Sequence, residues 1–509
     1  MSIELTTTEI GKINTLYSSA VEQSIDCDVT LPDYCPDIMR ILKCNVLANV
    51  SNAKINGDRV TADGTAVIKV IYTDDNNKIF CYEHEYPFSK FAELSGSADS
   101  ASFSVCIKNS YANCRAVSKR RIDIHGAISM KISVDSVSND SMICNAVGDG
   151  VQTRKKSVEF SSVTSTVSKA FQISEVESLS SSNPNIGKIL FINASPILNE
   201  TKIIRGKALL KGEICITVVY CADGDANEAC QLSYSIPFNE IAEIDSLNDE
   251  SIISVFLCSL QANAEPKADN DGSYRFLSLS TDIQAVITSY DKKSSGTICD
   301  AYSTQTMLDT KYKTTEFKSI RQCLKDTVLC KQSIDIASAS PSKIYSATVG
   351  LPESSCTFEN DKMIIKGSVP VDIIAIGEDG VPSYCQRSAD FEYSCSVDAE
   401  CPQCNYSLCV TGYNCTLSAD GKAEFKCEMH LIAEISSVCS RKTLSELCAS
   451  QNGELIKKNP SLTVYFCSGG ESVWDIARKY NTTVEEIMDE NNLTADNLQE
   501  NMMIMIPVK

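Results

Sequence analysis

Along most of the chain, apolar residues recur at every second position. Ile122, Ile124, Ile128, Met130, Ile132 and Val134 form one such series; Leu277, Leu279, Ile283, Ala285 and Ile287 form a second. Phe425, Cys427, Met429, Leu431, Ala433 and Ile435 form a third. Period-two alternation predicts long strands with one buried and one wet face. Ahead of each lies a shorter run rich in β-branched residues, 64–72, 212–220 and 367–376, followed by an acidic turn at Asp74-Asp75, Ala222-Asp223-Gly224 or Gly377-Glu378-Asp379-Gly380. A second strand returns through Tyr86-Pro87-Phe88 or Ile236-Pro237-Phe238, and Phe391-Glu392-Tyr393 replaces it in the third case.

The period changes only near the C-terminus. Val473, Ile476, Ala477 and Tyr480 are spaced i, i+3, i+4, i+7, and Val484, Ile487 and Met488 mark a second apolar face. Two short helices are therefore expected between two short strands. Ser472 sits where a helix begins, with Asp475 in its first turn, and Thr483 with Glu486 has capping-box spacing. Gly469-Gly470 supplies the turn into the first helix. The fold class is mainly β: three tandem β-rich domains and a small C-terminal βααβ domain.

The three β-rich units share a phrase. Leu31-Pro-Asp-Tyr-Cys-Pro36-Asp-Ile38 is echoed by Asn183-Pro184-Asn-Ile186, and a constant shift of 148 carries Asn45 to Asn193, Gly64 to Gly212, Val70 to Val218 and Tyr72 to Tyr220. One offset without gaps implies duplication. The third copy is weaker. The division read from these patterns is a polar lead-in over 1–20, β-rich domains at 21–154, 173–290 and 325–439, linkers at 155–172, 291–324 and 440–462, and a terminal domain at 463–509. The last linker suggests a tail free to move.

Charge and composition narrow the function. A chain of 509 residues with net charge −20 and pI near 4.7 argues against a nucleic-acid surface. The first residues form no cationic and apolar leader, and no apolar run reaches 18 residues, so the expectation is a soluble protein with no transmembrane segment, made and kept inside the cell. The 25 cysteines, odd in number and often flanked by aliphatics as in Ile214-Cys215-Ile216, read as buried free thiols.

Little points to catalysis. Cys401-Pro-Gln-Cys404 has the spacing of half a zinc site, a weak metal candidate because no second Cys-x-x-Cys exists. His84, His125 and His430 stand in no recognisable catalytic phrase, and P-loop, Gly-x-Ser-x-Gly and His-Glu-x-x-His motifs are absent. A non-enzyme without a cofactor is expected.

Residues Tyr465, Cys467, Gly470, Glu471, Ser472, Val473, Ile476, Ala477, Tyr480, Asn491, Leu493, Ile504, Ile506 and Pro507 resemble the LysM module. The repeats resemble the SPOCS domain, a spore-coat-associated family, on the strength of residues 31–42, 64–72 and 86–88. Three SPOCS-like domains followed by LysM resembles the layout of SipL-type spore-coat morphogenetic proteins. That resemblance implies a scaffold, its repeats forming a rod, at the forespore surface in the mother-cell cytoplasm. It implies a SpoIVA-like morphogenetic ATPase as the partner docked by the tail.

The usual LysM activity implies instead binding of peptidoglycan or other N-acetylglucosamine glycans of cell wall or spore cortex. The family's contact loops carry over to Gly470, Glu471, Ser472, Asn491, Asn492 and Leu493. Asn501 stands where the family has a late glycine, and Glu485-Glu486 and Asp489-Glu490 make the tail acidic. Trp474, the one tryptophan, lies off the apolar stripe, either shielding the small core or anchoring a protein or glycan partner. A third reading is a general scaffold whose tail merely folds.

Overall fold

The computed structural model describes residues 3–96, 98, 101–224, 228–244, 246–336, 340–450 and 463–507. The first repeat comprises β1 (Glu4–Thr30), β2 (Arg40–Asn56), β3 (Arg59–Thr73), β4 (Ile79–Glu93), β5 (Ser102–Ser118) and β6 (Arg121–Val147). The second comprises β7 (Val151–Ser178), β8 (Ile186–Ile204), β9 (Lys207–Ala222), β10 (Ala229–Glu243), β11 (Ile252–Ala268) and β12 (Tyr274–Ser303). The third comprises β13 (Leu308–Ile334), β14 (Pro341–Val349), β15 (Glu353–Glu359), β16 (Lys362–Gly377), β17 (Pro382–Ser396), β18 (Pro402–Leu417) and β19 (Ala423–Ala449).

Each repeat is two antiparallel sheets. In the first, β1-β6-β5 faces β2-β3-β4; in the second, β7-β12-β11 faces β8-β9-β10. The third pairs β13-β19-β18 with a sheet in which both β14 and β15 lie along β16, and β17 on its other edge. Its split strand breaks at Gly350-Leu351-Pro352, where Pro352 has no N–H for the ladder. The alternating series supply the inward faces, with Ile122 to Val134, Leu277 to Ile287 and Phe425 to Ile435 each buried in its own repeat's core.

The strand register explains why glycine and phenylalanine recur together. Gly64 lies opposite Phe88, Gly212 opposite Phe238 and Gly367 opposite Phe391. A Cβ on these glycines would meet the ring at 2.5, 2.6 and 2.8 Å respectively. The missing side chain is the room the ring occupies. The proline phrase has a similar cause. Tyr72 Oη donates to the Pro36 carbonyl at 3.3 Å and Tyr220 Oη to that of Pro184 at 3.0 Å. Arg120 donates to the carbonyls of Leu31, Pro32 and Cys35, and Arg275 to those of Leu179, Ser180 and Asn183. The third repeat has Ala375 and Gly421 at these tyrosine and arginine positions, so its turn is built differently.

Several expected boundaries are corrected. The lead-in 1–20 is mostly β1, the stretch 155–172 lies within β7, and 291–324 is the end of β12 and much of β13. Their Ser/Thr-rich, charged composition looks like linker because these strands form two-stranded ribbons, β1–β6, β7–β12 and β13–β19, paired far beyond the sandwiches. Of the third expected linker, residues up to 449 belong to β19, and 451–462 lie outside the described residues.

The repeats pack around a pseudo-threefold axis and do not form a rod. Equivalent residues Leu42, Leu190 and Tyr345 meet with Ile71, Val219 and Ile374 in one cluster. Where the ribbons converge, Ile143, Ile298 and Leu444 meet with Ala146, Ala301 and Leu447 in another. The three interfaces differ in charge at one set of equivalent positions, Lys69, Thr217 and Asp372, all of them buried. Asp372 pairs with Lys43 of the first repeat and accepts from Tyr384 Oη, while Lys69 donates to the Ile189 carbonyl of the second at 2.8 Å. Burial pulls the Lys43 pKa down even though the Asp372 carboxylate opposes the shift, a sign of how dry this contact is.

The expectation of buried free thiols is met only in part: Cys330, Cys385, Cys427 and Cys467 are buried, Cys323, Cys401 and Cys448 are exposed, the other free cysteines are partly buried, and one pair is bonded. Cys44 on β2 and Cys114 on β5 form a disulfide with Cα atoms 6.1 Å apart, tying the two sheets of the first repeat. The other 23 cysteines are free.

Candidate functional site

The C-terminal module is β20 (Thr463–Cys467), α1 (Val473–Tyr480), α2 (Val484–Asn491) and β21 (Met502–Ile506), the βααβ order expected. Ser472 caps α1, its Oγ accepting from Trp474 N–H at 3.2 Å. The capping box closes α2: Thr483 Oγ1 accepts from Glu486 N–H at 3.1 Å, and Glu486 Oε2 accepts from Thr483 N–H at 3.3 Å. Val473, Ile476, Ala477, Ile487, Ile504 and Ile506 make the core.

The residues matching the glycan loops are largely engaged within the module. Gly470 N–H donates to the Leu498 carbonyl at 2.7 Å, and its φ of 96° suits glycine alone. Glu471 accepts from Tyr465 Oη and Ser468 N–H, both at 3.2 Å. Ser472, buried, donates to Asp496. Asn491 bridges α2 to β21: its amide donates to the Ile487 and Met505 carbonyls at 2.8 and 2.7 Å and accepts from Met505 N–H at 2.6 Å. Asn492 is the exposed left-handed C-cap, φ 51°, and Leu493 packs on the core. The two loops are not joined directly; the loop after β20 packs instead on 496–501. Asn501, in place of the usual glycine, accepts from Gly469 N–H at 2.8 Å and so closes that contact.

Trp474 is not an exposed anchor. It is 6% exposed, its ring edge-to-face with Tyr302 at 5.0 Å and 71°, and its Nε1 donates to Asp300 Oδ2 at 2.9 Å. Arg478 donates to the same oxygen at 2.9 Å, and Tyr312 Oη donates to Asp300 Oδ1 at 3.1 Å. Tyr302 Oη donates to the Thr482 carbonyl at 2.7 Å, and Arg154 pairs with Asp496 at 3.0 Å. The module thus rests on the end of the β7–β12 ribbon, docked where the sequence suggests a free tail. Asp300, Tyr302 and Arg154 carry no local signal of this role, because the contact joins residues 174 and more positions apart.

With Trp474 turned inward, apolar surface remains on the opposite side. Val464 and Phe466 of β20 pair in register with Met505 and Met503 of β21, and all four side chains are exposed, Phe466 at 76%. On the alternate positions Cys467, Ile504 and Ile506 face the core.

The chain matches a family model described as SipL, SPOCS domain, over residues 37–115 and 185–264. It matches the LysM domain over 469–507. Two SPOCS domains ahead of a C-terminal LysM domain match the SipL-type arrangement expected from the sequence. Both are non-catalytic binding-domain families. The two SPOCS matches begin just after Pro36 and Pro184 and include Tyr72 and Tyr220, and the third repeat, where Ala375 replaces the tyrosine, lies outside them. No curated protein and no solved structure matches the chain.

Elsewhere, candidate chemistry is sparse. Cys401 is exposed before β18, while Cys404 is half-buried against Cys356, so the Cys-x-x-Cys pair is not gathered into one ligand set. His125 bonds Asp26 at 3.2 Å and Asp123 at 3.0 Å, an exposed group that is the one tight His/Cys/Asp/Glu cluster among the described residues. Burial pulls the His430 pKa down, reinforced by Lys325 and opposed by Asp326 and Glu213. Among the described residues no helix is long and apolar enough to cross a membrane.

Proposed function

We propose that this SipL-type chain is a non-catalytic adaptor in endospore coat assembly whose LysM module docks a SpoIVA-like morphogenetic ATPase at the forespore surface, on the mother-cell side. The observation that carries the reading is a LysM module joined to SPOCS domains with its glycan-loop groups, Ser472 and Asn491 above all, already bonded within the module. A sugar needs free polar groups to replace its hydration. A protein partner needs a desolvating apolar face, and Val464, Phe466, Met503 and Met505 offer one.

The repeats then act as a spacer body whose pseudo-threefold packing fixes where that face points. The alternative is LysM-mediated binding of peptidoglycan or other N-acetylglucosamine glycans, favoured by the LysM match itself. Parallel binding of the full chain to the purified ATPase and to purified peptidoglycan separates the two. Retention on glycan with no ATPase binding rejects the adaptor reading.

A further inference from the structure

The junction between the first two repeats is built around an edge strand. β5 ends its sheet, so outward backbone groups near residues 103 and 105 lack a ladder partner there. Gln284 of the second repeat takes that place. Its buried side chain accepts from Val105 N–H at 3.0 Å and donates to the Phe103 carbonyl at 3.0 Å and to Ser168 Oγ at 2.8 Å. Gln284 lies on β12 directly opposite Cys258 of β11, and Cys106 follows Val105. The amide therefore fixes the two strands so that Cys106 and Cys258, on different repeats, lie beside one another across the junction, the Cys258 Sγ donating to the Ser259 carbonyl at 3.6 Å.

We propose that Cys106 and Cys258 form a disulfide on exposure to a peroxide, stapling the first repeat to the second. Cys106 is the attacking sulfur. The neighbouring Cys258 favours its thiolate, with Lys108 and Lys131 acting in the same direction against the cost of burial, while the neighbouring Cys106 and burial keep Cys258 protonated. The Cys106 thiolate attacks one peroxide oxygen and the O–O bond breaks, leaving a sulfenic acid and a hydroxide that takes up a proton as water. Cys258 loses its proton as its sulfur attacks the Cys106 sulfur, the S–O bond breaks, and a second water leaves. Two thiols and one peroxide give one disulfide and two waters, the sulfurs oxidised and the peroxide reduced.

The staple differs in kind from Cys44–Cys114, which lies within the first repeat. Nearby contacts across this junction are neutral hydrogen bonds, Asn49 with Asn263 at 3.3 Å and with Ala262 N–H at 3.3 Å. The bond closes the chain between Cys106 and Cys258 into a loop, which stabilises by restricting the unfolded chain. Cys409, the other thiol near Cys258, points its Sγ toward the carbonyls of Pro196 at 3.8 Å and His430 at 3.9 Å.

The test treats the full chain with hydrogen peroxide, blocks residual thiols with an alkylating reagent, and maps crosslinked peptides by mass spectrometry. A Cys106–Cys258 peptide as the main new crosslink is expected, with a raised urea midpoint in the oxidised chain. Cys258→Ser should lose both the crosslink and the midpoint shift. Crosslinking of Cys258 to Cys409 instead, or accumulation of Cys106 sulfinic acid without crosslink in a chain whose circular dichroism is unchanged, overturns the proposal.

Discussion

Replacing Asp300 with Ala removes one carboxylate that serves both Trp474 Nε1 and Arg478 from the ribbon side of the LysM contact. The Asp300 side chain is 14% exposed, so its bond to the indole counts as a partly buried hydrogen bond to a charged acceptor, about 1.5–3 kcal/mol. Arg478 is 51% exposed and screened, and its pairing adds at most about 1 kcal/mol. The Tyr302–Trp474 ring contact, about 0.5–1.5 kcal/mol, and the Arg154–Asp496 pair survive the change. A loss of about 2 kcal/mol shifts the ratio of docked to undocked module roughly 30-fold. Trp474 is the only tryptophan, so its fluorescence reports this contact without labelling. Asp300→Ala should red-shift the emission, increase quenching by acrylamide, and speed hydrogen exchange in α1, with the β-sandwich signal in far-UV circular dichroism retained. Unchanged emission and unchanged exchange in α1 would refute the docking argument.

Other expectations follow from single contacts. Gly212→Ala places a methyl against both the Ile197 carbonyl and the Phe238 ring, so a loss of about 1–3 kcal/mol in urea denaturation is expected, and adding Phe238→Leu should recover only the ring's share because the carbonyl clash persists. Because the folded-state pKa of His430 lies below its unfolded value near 6.5, the unfolded chain binds more protons in that window. Stability is therefore lost as pH falls through about 6.5 toward the lower folded pKa, and His430→Gln should flatten the fall in denaturation midpoint between about pH 7.5 and 5. An equally steep fall in the variant would show that other groups govern it. Phe466→Asp with Met503→Asp should abolish ATPase binding while leaving Trp474 emission unchanged; undiminished affinity would clear that face of the role.

What the sequence disclosed was what local spacing controls. The period-two series, the Gly and Phe recurrences and the capping box at Thr483 each place their information within one strand pair or one turn, and all appear in the structure. The ribbon strands were hidden because β7 and β13 carry Ser, Thr and charged residues in long exposed runs, the composition of a connector; their pairing over 26 or more residues with β12 and β19 is set by partners 89 to 152 positions away. The same distance hides the docking of Trp474 on Asp300 and Tyr302 and the packing of equivalent residues at the axis. At the glycan loops, Ser472 and Asn491 could be named from the LysM pattern, but that their hydrogen bonds are spent internally depends on Asp496 and Met505, which the pattern does not specify.

Whether the LysM module meets a protein or a glycan is decided by exposing the surface-immobilised chain in turn to purified SpoIVA-like ATPase and to solubilised peptidoglycan fragments, with a chain ending before residue 463 as the control. Saturable ATPase binding that disappears in the truncated chain, with no glycan response, is the predicted result. Glycan binding that requires residues 463–509, with no ATPase binding by the full chain, would contradict it.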